Sequence, residues 1–407
     1  MITMTDRQRR FLDLKGEDPF RYYRYCLASG KQVFWDDSMR AWMALTHAAC
    51  SKVQRDEELF AHPYWDLPGA VEVQGGARQV MMLHGADHTR LHRFLMRYFS
   101  PTVVENYRSR YIAPLVTRML QRLCPAKHGD LDLDLADYLP AYVICSVLGI
   151  SIEDEELLVK CKNWNDDIMR WSETFGEDAG VLSDALDSAR YLAEVLLPII
   201  INRKFHPRGD FLSTLWREGP GLLAAWTEYD VLAQARVLLF AGSETTAHLI
   251  RNALYHLICD PDLQRWLAAH PRHIGDFVEE VLRYYGAIHF RIRSMTTDLE
   301  LAGCPMRTGD RVLPVLSAAN RDPARFERPD LFNLNRTNSR NHLAFGLGPR
   351  MCVGANLARA EVIEVVGQVL STLRGLTWDG EQDHSVHLVG HMARSYRPLP
   401  ARWAVGP

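Results

Sequence analysis

The chain has 407 residues and 47 % of them are apolar, so it is long enough to bury a large core. Its 47 basic and 50 acidic residues give a formal charge of −3, which argues against a nucleic-acid-binding stripe or an acidic tail. The first 25 residues hold no apolar stretch of signal-peptide length, and later runs such as 237–242 are too short to cross a bilayer. We therefore expect a soluble, cytoplasmic protein without a nucleic-acid or membrane partner.

Helix-period segments dominate the first 285 residues. They are 91–99, 103–123, 181–203 and about 228–258. The last segment begins after Thr227, has Asp230 three residues later as a capping residue, and stops at Asp260-Pro261. At a rise of 1.5 Å per residue this helix is roughly 45 Å long, so it crosses an entire domain.

The pattern changes after a further helix at 271–285. Short alternating runs broken by Ala302-Gly303 and Thr308-Gly309 predict a small β region over 288–315. Residues 320–340 form a polar meander, a final helix covers about 354–373, and the last 30 residues are irregular or β. Since no repeat or linker divides the chain, the sequence predicts one mainly α domain with a minor β region, spanning residues 1–407.

One of the eight cysteines, Cys352, stands in an unusual sequence context. The eight are widely spaced without a CxxC pair, which argues against a zinc ribbon, and most should be small buried apolar residues. Cys352 follows a glycine-rich run, Phe345-Gly-Leu-Gly-Pro-Arg-Met-Cys, and precedes a long helix whose N-terminal end favours a thiolate. The alternative is an ordinary buried cysteine in a glycine-rich loop.

Two other motifs carry polar residues at helical spacing. Glu280 and Arg283 are three residues apart, so they can form a pair on one helix face, which on its own is often a surface pair. The run Ala241-Gly-Ser-Glu-Thr-Thr246 lies in the middle of the predicted long helix, where hydroxyl and glycine residues are poor choices. A local bend solvated on one side would explain such a run, and so would a water- or ligand-filled groove.

Together these motifs resemble those of the cytochrome P450 family, in the family's order and spacing over the C-terminal 180 residues. The glycine-rich run resembles the family's haem-binding loop, FxxGxxxCxG, at Phe345, Gly348, Cys352 and Gly354. The resemblance implies that haem b lies between the long central helix and this loop with its following helix. It also implies that Cys352 is the thiolate ligand of the iron.

The same resemblance assigns further residues. Glu244 and Thr245 match the acid–alcohol pair that delivers protons to dioxygen, and Glu280 and Arg283 match a buried structural pair joined by a meander arginine, here Arg336. The residues that would contact the haem or its propionates are His88, His92, Ala241, Arg293, Phe345, Gly346, Arg350 and Gly354. The sequence departs from the family pattern at Ser243, where His is frequent, and at His92, where Arg is usual.

His84, His88 and His92 recur at intervals of four, so an alternative use of these imidazoles is a zinc site. Gly85 is expected to precede the helix start, and no carboxylate completes the ligand set. The spacing of the three histidines therefore indicates a zinc site less strongly than the family resemblance indicates contacts with the haem propionates.

By position in the family, the substrate pocket is expected to include Val237, Leu238, Ile288, His289, Arg291, His391 and Met392. Loops near 63–82 and 169–175 are expected to cover it. His289, Arg291 and His391 are polar, which suggests a substrate with a polar or anionic group, although Arg291 could instead contact a propionate.

The resemblance implies a haem monooxygenase that hydroxylates or epoxidises a small molecule, in natural-product or specialised metabolism. Electrons would come from NAD(P)H through a reductase and a ferredoxin, which Arg90, Arg93, Arg97 and Arg350 could dock, unless these are ordinary solvated charges. Two alternatives are a peroxide-driven peroxygenase and a non-catalytic haem sensor or carrier. Neither would need the Glu244-Thr245 pair. A monomer is expected.

Overall fold

The computed structural model describes residues 19–62, 67–174, 178–380, 388–389 and 392–405. Helices make up most of this part of the chain. They are α1 (Phe20–Ala28), α2 (His47–Arg55), α3 (Ala70–Gln74), α4 (Gly85–Tyr98), α5 (Pro101–Tyr107), α6 (Ala113–Leu123), α7 (Leu139–Leu148), α8 (Glu155–Glu173), α9 (Ala179–Phe205), α10 (Phe211–Glu218), α11 (Glu228–Cys259), α12 (Pro261–Ala269), α13 (Ile274–Tyr285), α14 (Leu316–Ala319) and α15 (Ala355–Thr372).

Short strands form small sheets beside the helices. They are β1 (Val33–Asp36), β2 (Ala41–Ala44), β3 (Phe60–Ala61), β4 (His128–Asp130), β5 (Arg293–Met295), β6 (Leu299–Leu301), β7 (Cys304–Met306), β8 (Arg311–Pro314), β9 (Leu373–Trp378), β10 (Leu388–Val389), β11 (Ser395–Tyr396) and β12 (Pro400–Val405). Within the described residues the largest sheet has the order β1-β2-β8-β5-β3. The others pair β4-β12-β9, β6-β7 and β10-β11. The predicted class, mainly α with a minor β region, is confirmed.

Helix α11 runs through the core. Its start is fixed by a capping box, in which the Asp230 carboxylate accepts the Thr227 backbone N–H at 2.7 Å while the Thr227 side chain accepts the backbone N–H of Asp230. It ends where the Asp260 side chain caps α12, accepting the Leu263 N–H at 2.9 Å. Most of its residues are buried, and it packs against α7, α8, α9 and α15. The observed bounds agree with the predicted helix at 228–258.

The largest sheet contains a part that the sequence pattern does not reveal. Strands β5 to β8 fall in the predicted β region, but β1, β2 and β3 come from the N-terminal part, where helix-period segments were expected to dominate. Strand β2 pairs in parallel with β8, with Trp42 opposite Val312. These strands have two to four residues, too few to show the alternation by which a strand is recognised.

The predicted helix at 103–123 is also divided. A π-helical turn at Arg108–Ile112 separates α5 from α6, which has Pro114 in its first turn. Among the described residues, no helix is both long and apolar enough to span a bilayer.

Candidate active site

A cavity lies between the middle of α11 and the loop that precedes α15. It encloses about 1610 Å³, its opening to solvent included. Ala241 and Thr245 line it from α11, and Phe345 and Cys352 line it from the loop. The segments singled out from the sequence for their chemistry therefore face one another across a single space.

The loop before Cys352 is held tightly against α2. Its Gly348 has φ +79°, and a Cβ there would lie 2.9 Å from the Gln54 carbonyl oxygen, so glycine is needed both for the turn and for the close approach. The Cys352 N–H donates to the Phe345 carbonyl at 2.8 Å, which closes the loop. Arg359, from the first turns of α15, lies over the Phe345 ring at 4.6 Å.

The Cys352 thiol is held in an environment that disfavours an isolated thiolate. Burial raises its pKa, and the charge of Arg291 and the N–H of Gly354 oppose this shift without overcoming it. A bound metal cation would supply the missing compensation, because a coordinated thiol is deprotonated by the metal itself. The site therefore disfavours a free thiolate nucleophile and is compatible with a cysteine ligand to a bound metal cation.

Basic side chains gather at one end of the cavity. They are His62, His88, His92, Arg291, Arg293 and Arg350, with His84 beside Arg350. Burial and the charge of Arg350 lower the pKa of His88 to about 3, and burial with Arg293 holds the pKa of His62 well below its usual range. The concentration of positive charge in a buried space suits an anionic ligand group.

Several of these side chains already have partners in the protein, and Arg293 donates to the Ile292 carbonyl at 2.8 Å. Arg350 pairs with Glu57 and donates to the carbonyls of Met81, at 3.1 Å, and Leu83, at 2.7 Å. The Nε2 of His92 lies 2.8 Å from the Met351 carbonyl oxygen. His84 also lies against Arg350, at 3.3 Å. Among the residues that the structure describes, no group of three His, Cys, Asp or Glu side chains is placed to hold a metal ion.

The polar run lies inside the continuous helix α11, and two of its hydroxyls bond back to helix carbonyls. Thr245 Oγ1 donates to the Ala241 carbonyl at 2.8 Å, and Ser243 Oγ donates to the Leu239 carbonyl at 2.7 Å. Thr245 and Thr246 line the cavity, whereas Glu244 is not among its lining residues and points into the protein. The two threonines of this run therefore lie at the cavity wall, and Glu244 does not.

Glu244 sits in a buried ion-pair cluster behind Thr245. Its Oε1 lies 3.1 Å from His248 Nε2 and 3.4 Å from Arg251, and its Oε2 lies 3.9 Å from Lys162. Burial alone would raise its pKa, but the hydrogen bond from His248 and the charges of Arg251 and Lys162 hold it well below its usual range. The carboxylate is thus ionised and anchored by three partners.

Comparison with known proteins identifies the family. The family model described as Cytochrome P450 matches residues 274–388. The biotin biosynthesis cytochrome P450 of Bacillus subtilis is 32 % identical over 292 residues, 71 % of either chain. The cytochrome P450 monooxygenase PikC of Streptomyces venezuelae is 32 % identical over 323 residues, 78 % of this chain and 74 % of that one.

A solved structure agrees over nearly the whole length. The crystal structure of P450BioI in complex with acyl carrier protein ligated to hexadec-9Z-enoic acid superimposes with a TM-score of 0.84 and 25 % identity, covering 95 % of this chain and 98 % of that one. The chain belongs to the cytochrome P450 family. It is a haem-dependent cytochrome P450 monooxygenase with the fold of that family.

The residues around the cavity fit a haem. A thiol at Cys352 is the donor type that the iron takes in P450 enzymes, and the basic end suits the propionate carboxylates. Arg291, Arg293 and His88 face the cavity in positions that could hold those carboxylates, while Arg350 would have to share its guanidinium with Glu57.

The Glu280–Arg283 pair is fully buried. Arg283 donates to both Glu280 oxygens at 2.8 Å and to the carbonyls of Asn320, at 3.0 Å, and Pro329, at 2.8 Å. Arg336 lies 3.4 Å from Glu280 and donates to meander carbonyls, including that of Glu327 at 2.7 Å. The three residues are brought together, and they tie α13 to the meander of this P450.

The residues expected around the substrate divide into three groups. Val237, Leu238, Ile288, Arg291 and Met392 line the cavity. His289 does not: its ring lies against Phe20, at 5.8 Å, and its Nδ1 is 3.3 Å from Ser317 Oγ. His391 lies outside the described residues.

The arginines expected to dock a ferredoxin are mostly engaged. Arg90 pairs with Asp87, Arg97 pairs with Glu218, and Arg350 is buried against Glu57, while Arg93 is exposed. Arg350 therefore does not belong to a solvent-facing patch, because its guanidinium is turned inward.

Sequence reasoning missed the partners of Glu244. His248 and Arg251 follow it by four and seven residues, so helical periodicity could have placed them on its face. Lys162 comes from α8, and no spacing in the sequence indicates its approach.

Proposed function

We propose that this P450 inserts one oxygen atom of O₂ into a small organic molecule in specialised metabolism, using haem b ligated by Cys352. The observation that carries the proposal is the placement of Cys352 opposite Thr245, with a basic end that suits propionates. When bound, thiolate-ligated haem supplies dioxygen activation and O–O cleavage. Electrons would come from NAD(P)H through a reductase and a ferredoxin.

The chain's own residues control water and protons. Thr245 Oγ1 lines the cavity and can give up its bond to the Ala241 carbonyl to hold a water or donate to oxygen. Glu244, adjacent in sequence, can turn from its cluster toward Thr245 and carry a proton to it. The apolar wall at Val237 and Leu238 limits water near the reacting carbon.

A spectroscopic measurement tests the ligand assignment. The reduced enzyme with carbon monoxide should show the red-shifted thiolate band, which Cys352→Ala should lose. The matched control is Cys259→Ala, at an exposed cysteine, which should keep the band. A thiolate band that survives in Cys352→Ala would contradict the proposal.

The electron source is tested by turnover. Product formation with ferredoxin, reductase and NADPH, and little with peroxide alone, is expected because Thr245 lines the cavity and Glu244 lies directly behind it. Turnover that needs only peroxide would favour the peroxygenase alternative, and turnover with neither would favour the sensor or carrier.

We propose further that the substrate has a mainly apolar body, in place of the polar or anionic character suggested by the sequence. Apolar residues from several elements form the cavity wall near Ala241. They are Met81, Met169, Val237, Leu238, Phe240 and Met392. Three flexible methionines can adapt to different ligand shapes. The hydrocarbon chain of the hexadecenoic acid in the structural neighbour's complex is an apolar body of this kind.

Two substitutions distinguish the apolar from the polar substrate. The ligand is the tightest binder from a spin-state screen of fatty acids, steroids and terpenes. We expect Leu238→Asn to weaken its binding by about 1–3 kcal/mol, or roughly 5- to 150-fold, because a polar group without a partner enters the wall. His289→Leu should leave the dissociation constant nearly unchanged. The reverse ranking would favour a polar contact at His289.

A further inference from the structure

The cluster around Glu244 contains more carboxylates than permanent cations. Within the described residues, Asp132, Asp137, Asp166 and Glu244 lie in ion-pair contact with Lys162, Arg251 and Arg397. This gives four acids against three bases. Asp130 lies just outside, since its carboxylate accepts the backbone N–H groups of Asp132 and Leu399.

Most of the cluster is buried, so solvent can relieve the imbalance only at its two partly exposed members, Asp166 and Arg397. The side chains of Asp132, Asp137 and Glu244 are 2 %, 6 % and 11 % exposed, and that of Arg251 is fully buried. An uncompensated charge in such a place costs several kcal/mol. Burial and the charge of Glu244 raise the pKa of Asp166 to about 6, as expected in a cluster with excess negative charge. One further positive charge would balance it.

His248 is placed to supply that charge. Its Nε2 lies 3.1 Å from Glu244 Oε1 and its Nδ1 lies 2.6 Å from Ser395 Oγ, on β11. Both partners can accept a hydrogen bond, so an imidazolium would have both N–H groups satisfied. The cluster is also connected to solvent, because the side chains of Asp166 and Arg397 are 40 % and 36 % exposed.

We propose that His248 carries the proton that balances this cluster and hands it to Glu244 during turnover. In that step the Nε2–H bond breaks and an O–H bond forms at Glu244 Oε1. The imidazole is left neutral, the Glu244 carboxylate becomes a carboxylic acid, and no electrons are exchanged. His248 is thus a positioning residue, which holds the proton that Glu244 then receives. The inference rests on the proposed role of Glu244.

The charge count gives a direct test by ¹⁵N NMR of the histidine-labelled holoenzyme, as the reduced carbon monoxide complex at pH 7. We expect one imidazole with the shifts of a doubly protonated ring, assigned by its loss in His248→Gln and its retention in His270→Gln. In Asp166→Asn the count becomes three acids against three bases, so this imidazole should become neutral. Glu244→Gln should have the same effect.

Asp167→Asn is the matched control. Asp167 is the next residue in α8 but bonds to Ser188, at 2.6 Å, and Arg170, outside the cluster, so its neutralisation should leave His248 doubly protonated. The inference would be overturned by a neutral His248 in the wild-type enzyme. It would also be overturned by a His248 that stays doubly protonated in Asp166→Asn. Asp and Asn have nearly the same shape, so this comparison does not depend on a disruptive variant.

Turnover measurements test the proton transfer from His248 separately from the proposed role of Glu244 on which it rests. With the ligand found in the screen, we expect His248→Gln to lower product formed per NADPH by roughly tenfold or more, since Gln keeps a hydrogen bond but holds no extra proton. His270→Gln should not change it. If Glu244→Gln leaves this yield intact, the proposed role of Glu244 fails. If only His248→Gln leaves it intact, the inference about proton transfer fails alone.

Discussion

Replacing Arg283 by Met is expected to lower the free energy of unfolding by about 3–5 kcal/mol, because the change leaves a buried carboxylate without its main cation. The Glu280 side chain is 1 % exposed, and Arg283 holds both of its oxygens at 2.8 Å. The meander carbonyls of Asn320, Pro329 and Leu331 lose a donor as well. A typical domain has only about 5–15 kcal/mol of net stability, so this loss is large.

Urea unfolding followed by circular dichroism measures the effect. The matched control is Arg307→Met, which breaks an exposed pair with Asp298 and should leave the unfolding midpoint nearly unchanged. Because paired removal of a buried ion pair is tolerated better than removal of one partner, Glu280→Gln with Arg283→Met should be less destabilised than Arg283→Met alone. Equal stability of Arg283→Met and Arg307→Met would show that the buried triad does not support the fold.

The parts of the fold that were predictable from the sequence are those with a long local signal. Helix α11 has an apolar period over 32 residues, a capping box at Thr227 and a stop at Asp260, all within the segment itself. The loop before Cys352 has glycines whose positive φ values the turn requires. Strands β2 and β3 lack such a signal, because they pair with β8 and β5, which are far away in sequence. Strand β1 pairs with β2 and has only four residues.

The candidate site shows the same division. Motif spacing brought Glu244, Thr245 and Cys352 to one region, but it did not indicate which way each side chain points. His289 follows Ile288 in extended backbone, where neighbouring side chains point to opposite faces, so Ile288 lines the cavity and His289 faces Phe20. From the sequence, His289 was assigned to the cavity wall because its segment was expected to line the cavity. In the structure its neighbour Ile288 lines the cavity and His289 does not.

Charged partners from other elements were the hardest to foresee. Arg350 was expected to meet a propionate, and the sequence did not indicate that its guanidinium also pairs with Glu57 and donates to carbonyls of the segment before α4. The cluster behind Thr245 likewise draws Asp132 and Asp137 from before α7 and Lys162 from α8. Ion pairs between distant segments leave no periodic trace in a sequence.

Replacing Arg251 by Met is expected to destabilise the protein by a similar amount, about 3–5 kcal/mol at neutral pH. Arg251 is fully buried, and it pairs with Asp132, Asp137 and Glu244. Its removal leaves four acids facing only two cations, Lys162 and Arg397. The excess negative charge that His248 would have to balance therefore grows from one to two. Met has a volume close to that of the lost side chain, which keeps the cavity contribution small.

The pH dependence distinguishes this electrostatic cost from a packing defect. In the wild-type protein the pKa of Glu244 is lower in the folded state than its usual value, so its stabilisation is present above the unfolded pKa and is lost as the pH falls through the folded one. The variant lacks much of that stabilisation, so its deficit should be full at pH 7 and shrink below about pH 4, where the carboxyls become protonated. Urea unfolding of both proteins between about pH 2.5 and pH 7 measures the difference, because this range includes the protonation of the carboxyls. A deficit that stays constant over this range would assign the cost to packing.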